Sequence, residues 1–161
     1  MVYSWTGGKM KRSEINNIII EAKHFLERMN WKLPRWAFWS PEDWKGKGAE
    51  CREIITDFGC NSYTDRGLFL FTLRNGNSGL QGGKPYAEKI LIVKEDQETP
   101  FHFHWHKMED IINRGGGNLC IELYNATENE QFGDTPVQVK IDGIEKTVAP
   151  GGKVVLQPGE S

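Results

Sequence analysis

Three of the four histidines in this 161-residue chain fall within five positions, in Phe101-His102-Phe103-His104-Trp105-His106, and Lys107-Met108-Glu109-Asp110 follows at once. On an extended strand successive side chains alternate in direction, so His102, His104 and His106 share one face while Phe103 and Trp105 share the other. Two imidazoles from one strand and a carboxylate just beyond it can converge on a single cation. That mixture of nitrogen and oxygen donors suits Mn, Fe, Co, Ni or Zn. A surface strand with incidental histidines is the competing reading.

The elements that must position this segment are legible in outline. Ser13 offers a helix N-cap with Glu14 in the first turn. Ile15, Ile18, Ile19, Ala22, Leu26 and Met29 then recur at helical spacing, which predicts an amphipathic helix over about 14–29 that Leu33-Pro34 stops. Ser40-Pro41-Glu42-Asp43 predicts a second, shorter helix, with Pro in its first turn. From about residue 50 short β-rich runs alternate with Gly, Asn and Asp: 68–73, then the glycine-rich 74–79, then 86–93, 100–105, 118–124, 137–141 and 153–156. Asp142-Gly143, between Val139-Lys140-Ile141 and Ile144 to Val148, predicts a two-residue hairpin. No long helical pattern separates the strands, so a parallel βαβ winding is not expected. The expected fold is mainly β, an antiparallel barrel or sandwich behind an N-terminal helical segment, with a lead-in over 1–12, the helical segment over 13–48 and the β domain over 49–161.

Composition narrows the function. Hydrophobic residues make up 38% of the chain, enough for one core, and 20 basic residues against 22 acidic ones leave a net charge of −2. A nucleic-acid partner is not expected at that balance. Nor is a membrane partner: the longest apolar run, Ile18-Ile19-Ile20, ends at Glu21, and the N-terminus lacks the apolar stretch of a signal peptide. Cys51, Cys60 and Cys120 are odd in number and share no CxxC spacing, so they read as free thiols of a cytoplasmic protein. His24, on the polar side of the predicted helix, reads as a solvent-facing residue. Arg114-Gly115-Gly116-Gly117 lacks the spacing of a phosphate-binding loop and reads as a tight turn.

His102-x-His104, four residues, Glu109, six residues, Gly116 resembles the first metal motif of the cupins, with Asp96 in place of the usual opening glycine. The resemblance narrows to the D-lyxose isomerase family of cupins on three stretches: Leu70 to Gly76, Tyr86-Ala87-Glu88-Lys89-Ile90, and His102 through Leu119. It runs over roughly residues 10–161, including Met10-Lys11-Arg12-Ser13 and Pro158-Gly159-Glu160-Ser161. This resemblance implies a cupin β-barrel and an aldose–ketose isomerase that takes D-lyxose to D-xylulose, or D-mannose to D-fructose. It implies a divalent ion, most often Mn²⁺, with Zn²⁺, Fe²⁺, Co²⁺ or Ni²⁺ as alternatives, held by His102, His104 and Glu109. The ion would polarise the sugar carbonyl while a proton moves between C2 and C1 through an enediolate.

By the same resemblance Lys89 projects towards the sugar and steadies developing oxygen charge, with Glu109 the other residue assigned to catalysis. Without the resemblance Lys89 reads as a solvated strand lysine. Glu88 points to the opposite face from it. His106 lies on the ligand face of the predicted strand, but the motif gives it no ligand role, so it reads as a pocket residue or as an extra ligand. Cupins take a fourth ligand, a histidine, from a second motif that would open at Gly159, and no histidine follows His106. The sequence therefore reads as a shortened family member, whose uncovered strand edge predicts a homodimer. A non-catalytic metal- or sugar-binding cupin remnant is the alternative from another class, and an Fe²⁺ dioxygenase is the third.

Overall fold

The computed structural model describes residues 10–47, 53–76, 79 and 81–161. The expected lead-in up to Lys9, the expected boundary at 48/49 and Cys51 lie outside the described residues. Helix α1 spans Arg12–Arg28 and buries Ile18, Ala22 and Leu26 along one stripe, as the periodicity predicts, while His24 is exposed. Its start differs from the expectation: the N-cap is Lys11, which makes no side-chain capping bond, and Ser13 already lies inside the helix. Its end comes before Pro34. Asn30, at φ 55°, turns the chain left-handed, and Trp31 N–H and Asn30 N–H donate to Leu26 O at 2.8 Å and Glu27 O at 2.9 Å. That pair of bonds ends the helix by satisfying two of its last carbonyls.

After a 3₁₀ turn at Arg35–Phe38, residues 41–46 form turns in place of the second helix expected there. Ser40 N–H and O–H both donate to Asp43 Oδ2 at 2.8 Å, a capping arrangement. The bonds that follow shorten to Lys45 N–H on Glu42 O, and Gly46 at φ 71° bends the backbone out of the helical path.

The strands are β1 Glu53–Thr56, β2 Leu68–Asn75, β3 Ala87–Ile92, β4 Leu119–Leu123, β5 Val137–Ile141, β6 Ile144–Val148 and β7 Gly152–Leu156. They pair antiparallel in three small sheets, β1-β2-β3, β4-β7 and β5-β6. The protein is thus mainly antiparallel β with one N-terminal helix, as expected, and no closed barrel is formed among the described residues. The β5–β6 hairpin turns through Asp142 at φ 50° and Gly143 at φ 79°, the two left-handed residues a tight hairpin needs.

The chain divides into two compact units, residues 10–101 and His102–Ser161. In the first, Phe69 and Phe71 of β2 pair with Ile92 and Ile90 of β3, and this face packs with Ile18 and Ala22 of α1, Ala37 and Tyr63. Trp36 stacks on Phe71 with ring centroids 4.3 Å apart. Fully burying a side chain of this size stabilises by about 2–3 kcal/mol, and Phe69 and Phe71 are 2% and 0% exposed. A bulge in β2 between Thr72 and Arg74 shifts the register, so Thr72 pairs with Lys89 and Arg74 with Glu88. Gly76, just past β2, donates to Tyr86 O at 2.9 Å, and a Cβ there would collide with the Lys84 and Tyr86 carbonyls.

In the second unit the β4–β7 ladder runs from Leu119↔Leu156 to Leu123↔Gly152, and Leu156 is 3% exposed. Among the described residues no helix is long and apolar enough to cross a membrane. Cys60 and Cys120 are free thiols, both exposed.

Candidate metal centre

The histidine segment is not a strand of any sheet. Residues 99–118 form no ladder, which corrects the strand expected over 100–105. A period of two in the sequence does not make a strand without a partner to pair with, and the chain bends at Trp105–His106. The His102 and His104 rings lie 5.2 Å apart, and Phe103 and Trp105 meet edge to face at 4.9 Å.

His102, His104 and Glu109 come together: each offers a ligand atom, and the three atoms lie within 4.8 Å of one another. His104 Nε2 is 3.4 Å from Glu109 Oε1. Donors bound to one first-row ion at about 2.0–2.2 Å sit roughly 3–3.5 Å apart, so this pair already has ligand spacing. Two imidazoles and one carboxylate fit a divalent ion that keeps open positions for substrate. His106 is exposed and lies outside this cluster.

The protonation states agree with such a role. Burial, joined by the Lys107 and His102 charges, holds the His104 pKa below its usual value against the opposing pull of Glu109, so the imidazole is neutral near pH 7. Burial works to raise the Glu109 pKa, but the Lys107 hydrogen bond and charge, with the two histidines, outweigh it and leave the carboxyl lower than usual. Lys107 Nζ donates to the same Oε1 that faces His104. The lysine is therefore the cation paired with Glu109.

Lys89 belongs to the other unit. It stands on β3 opposite Thr72, on the sheet face away from Phe69, Phe71, Ile90 and Ile92, and it is exposed. Glu88 lies 3.9 Å from Arg74 Nε. Two residues that the sequence reading gave no role emerge here: Lys107, and the buried Asn113 at 6% exposure. Asn113 carried one sequence signal, a glycine two residues on, which suits an Asn side chain that caps a turn. The turn expected at Arg114 to Gly117 is present, with Gly115 and Gly116 at φ 135° and 95°.

Set beside known proteins, residues 10–161 match the family model described as D-lyxose isomerase. A "D-lyxose/D-mannose isomerase" of Escherichia coli O157:H7 is 45% identical over 162 residues, covering 94% of this chain and 71% of that protein. One of Serratia proteamaculans, with the same name, is 44% identical over 165 residues with the same two coverages. The chain belongs to the D-lyxose isomerase family. In this D-lyxose isomerase family member the matched region contains all of the second unit, so both histidines, Glu109, Lys107 and Asn113 lie inside it.

Proposed function

We propose that this chain is a divalent-metal-dependent aldose–ketose isomerase acting on D-lyxose and D-mannose, with Mn²⁺ the preferred ion. The observation that carries the reading is the convergence of His102, His104 and Glu109 in a member of this family. A divalent ion held by these three supplies charge stabilisation to sugar oxygens that become negative as a proton moves between C2 and C1.

The chain's own residues have separate tasks. His102 and His104 present imidazole nitrogen donors, and Glu109 adds the charge that selects a cation over water. Lys107, paired with Glu109 Oε1, would compete with a divalent ion for that carboxylate. Lys89 contacts a sugar oxygen, a role that rests on the family resemblance.

The test is conversion of D-lyxose to D-xylulose by the purified chain with excess Mn²⁺, against a metal-free control. Turnover that depends on metal is expected, with His104→Ala weakening Mn²⁺ binding by at least ~10-fold. Mn²⁺ binding unchanged in His104→Ala overturns the ligand set. Metal bound by folded protein with no turnover selects the non-catalytic sugar- or metal-binding alternative. Lys89→Ala is expected to bind Mn²⁺ normally but to lower turnover, and an unchanged rate removes Lys89 from the reaction.

A further inference from the structure

Between Glu109 and β4 the chain runs through Asp110, Ile111 and Ile112, all exposed and outside any strand or helix, to Asn113. There its character changes. The Asn113 amide donates to Gly117 O and to Leu156 O, both at 2.8 Å, and its Oδ1 accepts from Gly115 N–H at 3.0 Å. Its backbone N–H donates to Glu160 O at 2.9 Å, and its carbonyl accepts from Gly159 N–H at 2.7 Å. One buried residue thus ties the glycine turn, the end of β7 and the C-terminal turn together. It is the nearest buried point to Glu109 along the chain, four residues away.

We propose that Asn113 is a positioning residue for the metal centre, holding the 109–113 segment on the end of the β4–β7 ladder so that the Glu109 carboxylate stays beside the two imidazoles. The chemistry asks for an asparagine. Three of these bonds need two amide donors and one acceptor on a short side chain, which an aspartate, serine or alanine does not provide. A ligand segment without a ladder of its own must borrow its rigidity, and here the loan comes through Leu156, the buried end of β7. Supporting groups that orient metal ligands typically change affinity by about 10–100-fold when removed. This inference rests on the metal reading above.

The experiment uses the full chain and Mn²⁺ alone as the probe, followed by calorimetry and by the loss of the free-ion electron paramagnetic resonance signal. Asn113→Ala is expected to bind Mn²⁺ about 10–100-fold more weakly while its far-ultraviolet circular dichroism stays that of the parent. Asn113→Ser, which keeps one donor, gives a smaller loss and carries the test if the alanine variant does not fold. Asn125→Ala is the structural control. Asn125 also clasps a turn, donating to Thr135 Oγ1 at 2.9 Å and Pro136 O at 3.1 Å. Its loss is expected to lower the melting temperature but not Mn²⁺ affinity. In metal-free protein, Asn113→Ala is also expected to speed amide hydrogen exchange at Asn113, Gly115 and Gly159, and Asn125→Ala is not.

Mn²⁺ affinity unchanged in folded Asn113→Ala or Asn113→Ser overturns the proposal while leaving the metal reading intact. Affinity that falls equally in Asn125→Ala overturns it too, because the effect is then general destabilisation. A parent chain that binds no Mn²⁺ overturns both readings at once, which keeps the two failures distinct.

Discussion

The two units are held together by different physics. Residues 10–101 have an apolar core in which α1 and one face of β1-β2-β3 bury Ile18, Ala22, Phe69 and Phe71. In His102–Ser161 the described residues classed as buried are Leu156 and Asn113 alone. That unit depends on two ladders, a tight hairpin and the hydrogen bonds that converge on Asn113. The candidate metal ligands lie in the second unit. A scaffold with little core can still hold three ligands close, provided that its polar contacts are satisfied and its turns are correct. It leaves those ligands exposed enough to meet a small molecule.

The comparison is sharpest where a single side chain is removed. Phe71→Ala should cost about 3–5 kcal/mol, because the stacked Trp36 and the α1 face cannot close the void. Val155→Ala, on β7 at 52% exposure, should cost less than about 0.5 kcal/mol. Chemical denaturation of both variants checks this, and equal losses would break the contrast between the units.

Alkaline pH gives a second probe of the first unit. Burial, assisted by the Glu21 charge and opposed by the Gln97 hydrogen bond, pushes the Tyr63 pKa up to about 12. The folded chain therefore keeps the phenol proton more tightly than the unfolded chain, whose value stays near 10.0. This contribution to stability is fully present below pH 10 and is lost as the pH rises towards 12. Absorbance at the tyrosinate band should show one late-titrating tyrosine, and Tyr63→Phe should remove it together with that part of the alkaline stability loss.

In the second unit the hairpin is the sensitive point. Gly143→Ala places a Cβ on a residue at φ 79° and should cost about 1 kcal/mol or slightly more, read by thermal melting. A comparable effect is expected at Lys107. Replacing it by Met removes the ammonium that competes for Glu109 Oε1, so Mn²⁺ affinity measured by calorimetry should rise a few-fold, in keeping with about 1 kcal/mol for exposed charges some 4 Å apart. Weaker binding in Lys107→Met would make the lysine a support of the site instead of its counter-ion.

Much of this was open to reading from local pattern. The helix showed in the spacing of Ile18, Ala22 and Leu26, and the β5–β6 hairpin in Asp142-Gly143, since each depends on residues within a turn or two. The failures were local rules that met competition. Ser13 was passed over as N-cap when the helix began at Arg12, and the Ser40–Asp43 capping arrangement closed on turns that Gly46 ended. The strand expected through the histidines failed because a ladder needs a partner, and a period of two does not supply one.

The chemistry on offer is written in the chain order: two imidazoles and a carboxylate at the spacing of His102, His104 and Glu109. What surrounds them is a matter of the folded chain. The bond from Asn113 to Leu156 crosses 43 residues. The choice of Lys107 over any other cation as the partner of Glu109 depends on where two flexible side chains end in space. Periodicity and spacing encode which face a residue takes, because backbone geometry repeats. They do not encode long-range hydrogen bonds, which depend on the β4–β7 ladder to hold distant turns within reach.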